Sequence, residues 1–143
     1  MNIKSWTFNK TVALLLSVAL FVVSLFTVLY SVDKENVSFR GYEAFLLGWM
    51  DLSGSGIAWI ANPLSVVALF LFAINRLKAA YIVGIIAVLF ALGFIIYEKN
   101  FSTENMGDQI TVGPSYFFWM ASIVNISVAA IYLIQWRKKK LNT

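Results

Sequence analysis

The stretch GIAWIANPLSVVALFLFAINRLKAAYIVGIIAVLFALGFIIY, residues 56–97, holds two apolar runs separated by Asn75-Arg76-Leu77-Lys78, with Arg76 and Lys78 its only charged residues. Each run, Gly56–Asn75 and Ala79–Tyr97, is close to the roughly 20 residues a helix needs to cross about 30 Å of hydrocarbon. A connection this short forces the two helices into an antiparallel hairpin. Outward from it lie two further apolar runs, Thr11–Tyr30 and Pro114–Trp136. The chain is 60% hydrophobic and 13% charged, against about a quarter charged in ordinary soluble domains. The predicted fold is therefore an all-α integral membrane protein, with four transmembrane helices in a compact bundle and a short interfacial or re-entrant helix before the second span. It forms a single membrane domain over residues 1–143, with spans at about 11–30, 56–75, 79–97 and 114–136 and outer loops 31–55 and 98–113.

The charges fix an expected orientation. Lys4, Lys10, Arg76, Lys78 and Arg137–Lys140 lie on one side of the apolar runs with no acidic residue among them. The other side carries Lys34, Arg40 and Lys99 against Asp33, Glu35, Glu43, Asp51, Glu98, Glu104 and Asp108. Basic loops stay cytoplasmic, so both termini are expected inside a bacterial-type inner membrane. The net charge of +4 then reflects topology and attraction to anionic lipid, and no nucleic-acid partner is expected. Lys4 and Lys10 before an apolar run also suggest a secretory leader. The run is too long for a signal core, and Val28-Leu29-Tyr30-Ser31 lacks a small-x-small cleavage pattern, so it is expected to remain as a helix.

Cysteine and histidine are both absent. Disulfides, thiolate catalysis, histidine-assisted nucleophiles, ordinary zinc sites and His-ligated haem are thereby excluded. Glu98, Glu104 and Asp108 do not follow the alternation of a calcium loop. No glycine-rich phosphate loop is present, and no ionisable residue sits centrally in a run, as a proton-coupled pump would need. The expectation is a non-enzymatic protein with no cofactor and no bound metal.

Small residues predict how the helices meet. Ala58, Ala61, Ser65 and Ala68 in the second run, and Ala80, Gly84, Ala87 and Ala91 in the third, recur at intervals of three and four and so share one helical face. Ala13, Ser17 and Ser24 in the first run, and Ser122, Asn125 and Ala129 in the fourth, are the corresponding small or polar positions. Such faces permit close backbone approach, which replaces the hydrophobic force missing between helices in lipid. Aromatic residues near the run ends, including Tyr30, Trp49, Trp59, Tyr97, Tyr116 and Trp119 on the outer side, read as interfacial anchors.

Candidate binding residues cluster before and inside the second run. Residues 41–52, GYEAFLLGWMDL, are too short to span and read as a helix on the outer leaflet carrying Glu43, Trp49 and Asp51. Gly54-Ser55-Gly56 supplies a turn into the second run. There Pro63 removes a backbone donor beside Trp59 and Asn62, predicting a break that bounds a cavity with the Glu43–Asp51 segment. Asn125, midway along the fourth run, seeks a hydrogen-bond partner. The candidate partner or ligand site is therefore Glu43, Trp49, Asp51, Trp59, Asn62, Pro63 and Asn125.

The functional expectation is a protein that acts through contacts with another membrane protein, with itself as a homo-oligomer, or with a lipid-soluble ligand. An accessory subunit, a regulator and an immunity protein all fit; the alternative is a small oligomeric channel or transporter. Replacing Arg137–Lys140 with neutral residues tests the orientation. A C-terminus that stays cytoplasmic in a topology reporter assay shows that Lys4, Lys10, Arg76 and Lys78 suffice to set it.

Overall fold

A computed structural model describes residues 3–32, 37–50, 54–104 and 110–141. In chain order, α1 (Ile3–Phe26) leads into β1 (Val28–Val32), and β2 (Val37–Arg40) runs directly into α2 (Gly41–Leu47) and a 3-10 turn, Gly48–Met50. A 3-10 segment, Gly54–Ile60, continues into α3 (Ala61–Ala73). Then follow α4 (Leu77–Glu104), β3 (Ile110–Val112) and α5 (Pro114–Leu141). Among the described residues, three helical stretches are long and apolar enough to cross a membrane: Asn9–Phe26, Leu77–Ile96 and Pro114–Lys140. Ile57–Ala73 is a shorter apolar helix.

α5 lies between α1 and α4, and α3 packs on the far side of α4. The small-residue faces form these seams: Ala61, Ala80, Ala87 and Ala91 are fully buried, and Ala58, Ser65 and Ala68 nearly so. Gly84 meets Ser127 of α5 so closely that a Cβ would strike the Ser127 hydroxyl.

The seam between α1 and α5 is made of hydroxyls and backbone. Ser17 Oγ donates to the Ser122 carbonyl at 3.1 Å, and Ser122 Oγ donates back to the Ser17 carbonyl at 2.8 Å. Asn125 Nδ2 donates to the Ala13 carbonyl at 2.9 Å and to Ser17 Oγ at 2.7 Å. These residues need a small side chain with a short-range donor, which is why Ser and Asn occupy positions where Leu would hold the helices apart.

The α3–α4 connection closes as a left-handed helix cap. Asn75 has φ 66°, its N–H bonds the Phe72 carbonyl at 3.1 Å, and the Arg76 N–H bonds the Leu71 carbonyl at 2.9 Å. Those two bonds satisfy carbonyls of the last turn, and Asn is the residue after Gly that best tolerates this conformation. Lys10 adds a third capping group, its Nζ donating to the Ala73 carbonyl at 2.7 Å.

At the other end the structure departs from the sequence expectation. The first run is not helical to Tyr30: α1 stops at Phe26, and Val28–Val32 forms the middle strand of an antiparallel sheet ordered β2-β1-β3. The expected outer loop 31–55 includes β2, and the loop 98–113 includes β3. α4 also continues past Tyr97 to Glu104. Gly54-Ser55-Gly56 begins a 3-10 segment instead of a turn. The break expected at Pro63 occurs just before it, at the change from 3-10 to α-helix between Ile60 and Ala61. Pro63 therefore stands in the first turn of α3, where its missing N–H leaves few helical bonds unmade.

Gly84→Leu is expected to wedge the α4–α5 seam and destabilise the protein by about 1–3 kcal/mol, as overpacking does. Gly93→Leu, on the same helix but with no atom within 4 Å of its Cβ position, is expected to leave thermal stability in detergent nearly unchanged.

Candidate functional site

The place where α1 ends determines what lies beneath the sheet. A helix terminus leaves its last carbonyls without intrahelical partners. Here the Ser24 carbonyl accepts from Ser115 Oγ at 2.6 Å, the Val23 carbonyl from Thr27 Oγ1 at 3.1 Å, and the Thr27 carbonyl from the Gly41 N–H at 3.0 Å. Gly41 has no room for a Cβ, which would collide with the Ser24 carbonyl and Ser115 Oγ. These contacts bring the starts of α2 and α5 against the end of α1. The sheet covers the junction.

Within the sheet, Tyr30 stands opposite both Phe39 of β2 and Val112 of β3. The pairing of β1 with β2 shifts register between Val28 and Tyr30. A bulge of this kind re-aims side chains, and here the adjacent Leu29 and Tyr30 both face the same cavity.

That cavity measures about 270 Å³. One wall is aromatic: Tyr30 stacks on Phe39 at 4.7 Å between ring centroids and touches Phe94 at 6.4 Å. Phe94 stacks on Tyr116 at 5.7 Å, and Tyr116 meets Trp119 edge-on at 5.9 Å. Tyr116 is fixed further by its hydroxyl, which donates to the Ala91 carbonyl at 2.9 Å. The opposite wall comes from α2 and the 3-10 segment, where Trp59 Nε1 donates to the Phe45 carbonyl at 2.8 Å and Gly48 packs against the Trp59 ring. Phe45 in turn meets Phe21 of α1 edge-on at 5.7 Å.

Few polar groups interrupt this lining. The Ser24 and Ser115 hydroxyls are already engaged, Ser24 Oγ donating to the Phe21 carbonyl at 2.6 Å and Ser115 Oγ to the Ser24 carbonyl. Glu43 receives the Arg40 N–H on Oε2 at 2.7 Å and the Tyr42 hydroxyl on Oε1 at 3.3 Å, so its carboxylate caps the start of α2. Asn62 is 9% exposed and lines the cavity, yet no described residue hydrogen-bonds its carboxamide. Trp119, also 9% exposed and also lining, has an indole N–H that is buried without an acceptor among the described residues. An unmade hydrogen bond at a buried donor costs about 1–3 kcal/mol.

The sequence-derived candidates divide accordingly. Glu43, Trp59 and Asn62 converge on the cavity. Trp49 is 55% exposed and lies away from it, Pro63 is exposed on the outer side of α3, and Asn125 belongs to the α1–α5 seam. Asp51 lies outside the described residues, as does the side chain of Tyr97. Tyr30, Tyr116 and Trp119, read as interfacial anchors, line the cavity instead, and Tyr116 and Trp119 are buried there. Phe39, Phe94, Ser24 and Ser115 were not singled out as site residues. Only the alternation Val37-Ser38-Phe39 signalled a strand whose inner face would need a covering.

Among the described residues no group of three His, Cys, Asp or Glu side chains is placed to hold a metal. The chain matches no known protein-family model, and no curated protein is similar to it in sequence.

Tyr116→Phe removes the bond to Ala91 and is expected to cost about 1 kcal/mol of stability. Trp119→Phe removes a donor with no acceptor among the described residues, but it also shrinks a buried ring of the core and is expected to cost more, about 1–3 kcal/mol. Thermal unfolding of the two variants side by side checks the order.

Proposed function

We propose that this is a non-enzymatic four-span protein of a bacterial-type inner membrane, with both termini cytoplasmic, that holds a lipid-soluble ligand in the cavity under its outer sheet. The observation that carries the reading is the cavity itself: about 270 Å³, walled by aromatic rings, with a few polar groups converging on it. Small-molecule sites have this character, and this volume falls just below their usual range of about 300–1,000 Å³. It suits one short chain or one ring system.

The geometry of the second apolar segment supports four spans. Its 3-10 part has seven residues and α3 has 13. At about 2.0 and 1.5 Å per residue these extend roughly 33 Å, enough for a hydrocarbon core of about 30 Å. The contact of Lys10 with the end of α3 supports one shared basic face for the inner ends.

A protein partner is the companion reading. Leu46, Leu47, Trp49 and Met50 are each more than half exposed on α2 and the following turn. A patch of this kind suits the headgroup region or a neighbouring membrane protein, as an accessory, regulatory or immunity-type protein would require. The channel or transporter alternative is less well supported, because seams closed by fully buried alanines leave a conducting path only between copies of the chain.

Photoreactive groups placed at positions 62 and 49 separate these roles. A group at 62 is expected to capture a small lipophilic molecule, and one at 49 to capture lipid or one distinct protein. Ala44→Phe, which fills the cavity from its partly buried wall, is expected to abolish the capture at 62 while membrane abundance is kept. Capture at 62 that survives Ala44→Phe unchanged would contradict the cavity reading.

A further inference from the structure

We infer that the ligand of this cavity is an organic cation, an ammonium carried on an apolar body of one ring system or short chain. The inference rests on the cavity reading above and adds the chemical class. Glu43 is a half-buried carboxylate in a lining that is otherwise mostly aromatic and aliphatic. Its described partners, the Arg40 backbone N–H at 2.7 Å and the Tyr42 hydroxyl at 3.3 Å, are both neutral, and no described residue makes an ion pair with it. An ionised carboxylate has about four acceptor sites, so two hydrogen bonds leave room at Glu43 for a cation. Beside apolar rings, a cation gains more from this carboxylate than it would in open water.

The rings strengthen the same preference. Tyr30, Phe39, Phe94, Tyr116 and Trp119 all line the cavity, joined in one series by centroid separations of 4.7 to 6.4 Å. Aromatic faces carry negative charge density, and an ammonium held against them is attracted most strongly where water is excluded. The Asn62 carboxamide lines the cavity at 9% exposure and is hydrogen-bonded by no described residue, so its oxygen is available to a ligand. The sequence around the cavity adds a field of the same sign. Residues 31–55 and 98–113 hold Lys34, Arg40 and Lys99 against all seven Asp and Glu residues of the chain. Such an excess draws cations to this end of the molecule and repels anions. A neutral molecule of the same shape gains the burial without either attraction.

The test uses the full-length protein in nanodiscs of zwitterionic lipid and three radiolabelled probes of similar size: benzyltrimethylammonium, its uncharged isostere neopentylbenzene, and phenylpropionate. Affinities are compared at equal probe concentration in the membrane. Saturable binding of benzyltrimethylammonium is expected, with neopentylbenzene and phenylpropionate weaker by about ten-fold or more. Glu43→Gln keeps an acceptor for the Arg40 N–H and is expected to weaken the cation by about ten-fold while leaving neopentylbenzene unchanged. Phe39→Leu, at the exposed rim of the cavity, is expected to weaken the cation by about three-fold, the loss of one ring face. Thermal unfolding in the same nanodiscs confirms that each variant is folded. Phe39→Leu and the ranking of the three probes carry the decision if Glu43→Gln does not fold.

Neopentylbenzene or phenylpropionate binding as tightly as the cation, or a cation affinity unmoved in both Glu43→Gln and Phe39→Leu, would overturn the ligand class. The cavity reading stands in that case when Ala44→Phe abolishes the binding. No saturable binding of any of the three probes, or binding that Ala44→Phe does not change, would overturn both.

Discussion

The satisfaction of the last carbonyls of α1 is the constraint on which the rest of the architecture depends. Polar backbone in apolar surroundings must find partners, and α1 ends with its carbonyls facing other elements instead of water. Ser115 supplies one partner from the start of α5, Thr27 serves the helix it follows, and Gly41, from the start of α2, bonds the carbonyl of Thr27 just past the helix end. Once those contacts are made, β1 must leave the helix end at a fixed place, and the Gly113 N–H bonds the Leu29 carbonyl at 2.6 Å to seat β3 beside it. The sheet and the cavity follow from one helix terminus.

The contacts along the rest of the α1–α5 seam act through specificity more than strength. Interhelical hydrogen bonds in membranes average about 0.6 kcal/mol, so the reciprocal Ser17–Ser122 pair and the two bonds of Asn125 contribute modestly. What they fix is register. A rotation of α1 by one residue would separate both serines from the carbonyls they use and leave buried hydroxyls unpaired. The alanine faces of α3 and α4 set distance in the same way, since nothing larger than Ala fits where Ala80, Ala87 and Ala91 are wholly buried.

The helical framework was legible because its signals are local and repeated: apolar runs of the right length, small residues at intervals of three and four, and a connection too short for anything but a hairpin. The sheet was not. Val28-Leu29-Tyr30-Ser31-Val32 is apolar enough to read as the exit of a helix, and although β2 follows closely at Val37–Arg40, β3 at Ile110–Val112 lies far along the chain, so no window of sequence contains the whole sheet. The cavity was half legible. Glu43, Trp59 and Asn62 were marked by an irregular stretch, whereas Tyr116 and Trp119 were read as anchors because an aromatic ring near a span end looks the same whether it meets headgroups or a void. Only the sheet, by covering that end, decides between them.

The 3-10 segment Gly54–Ile60 gives one wall of the cavity an economy of length. Its seven residues cover about 14 Å, a distance that would take roughly nine residues of α-helix. The wall carrying Ala58 and Trp59 is thus a slender, overdrawn coil set end to end with a regular one. Rewound as α-helix the same residues would cover only about 10.5 Å, and Ala58 and Trp59 would leave their places in the wall.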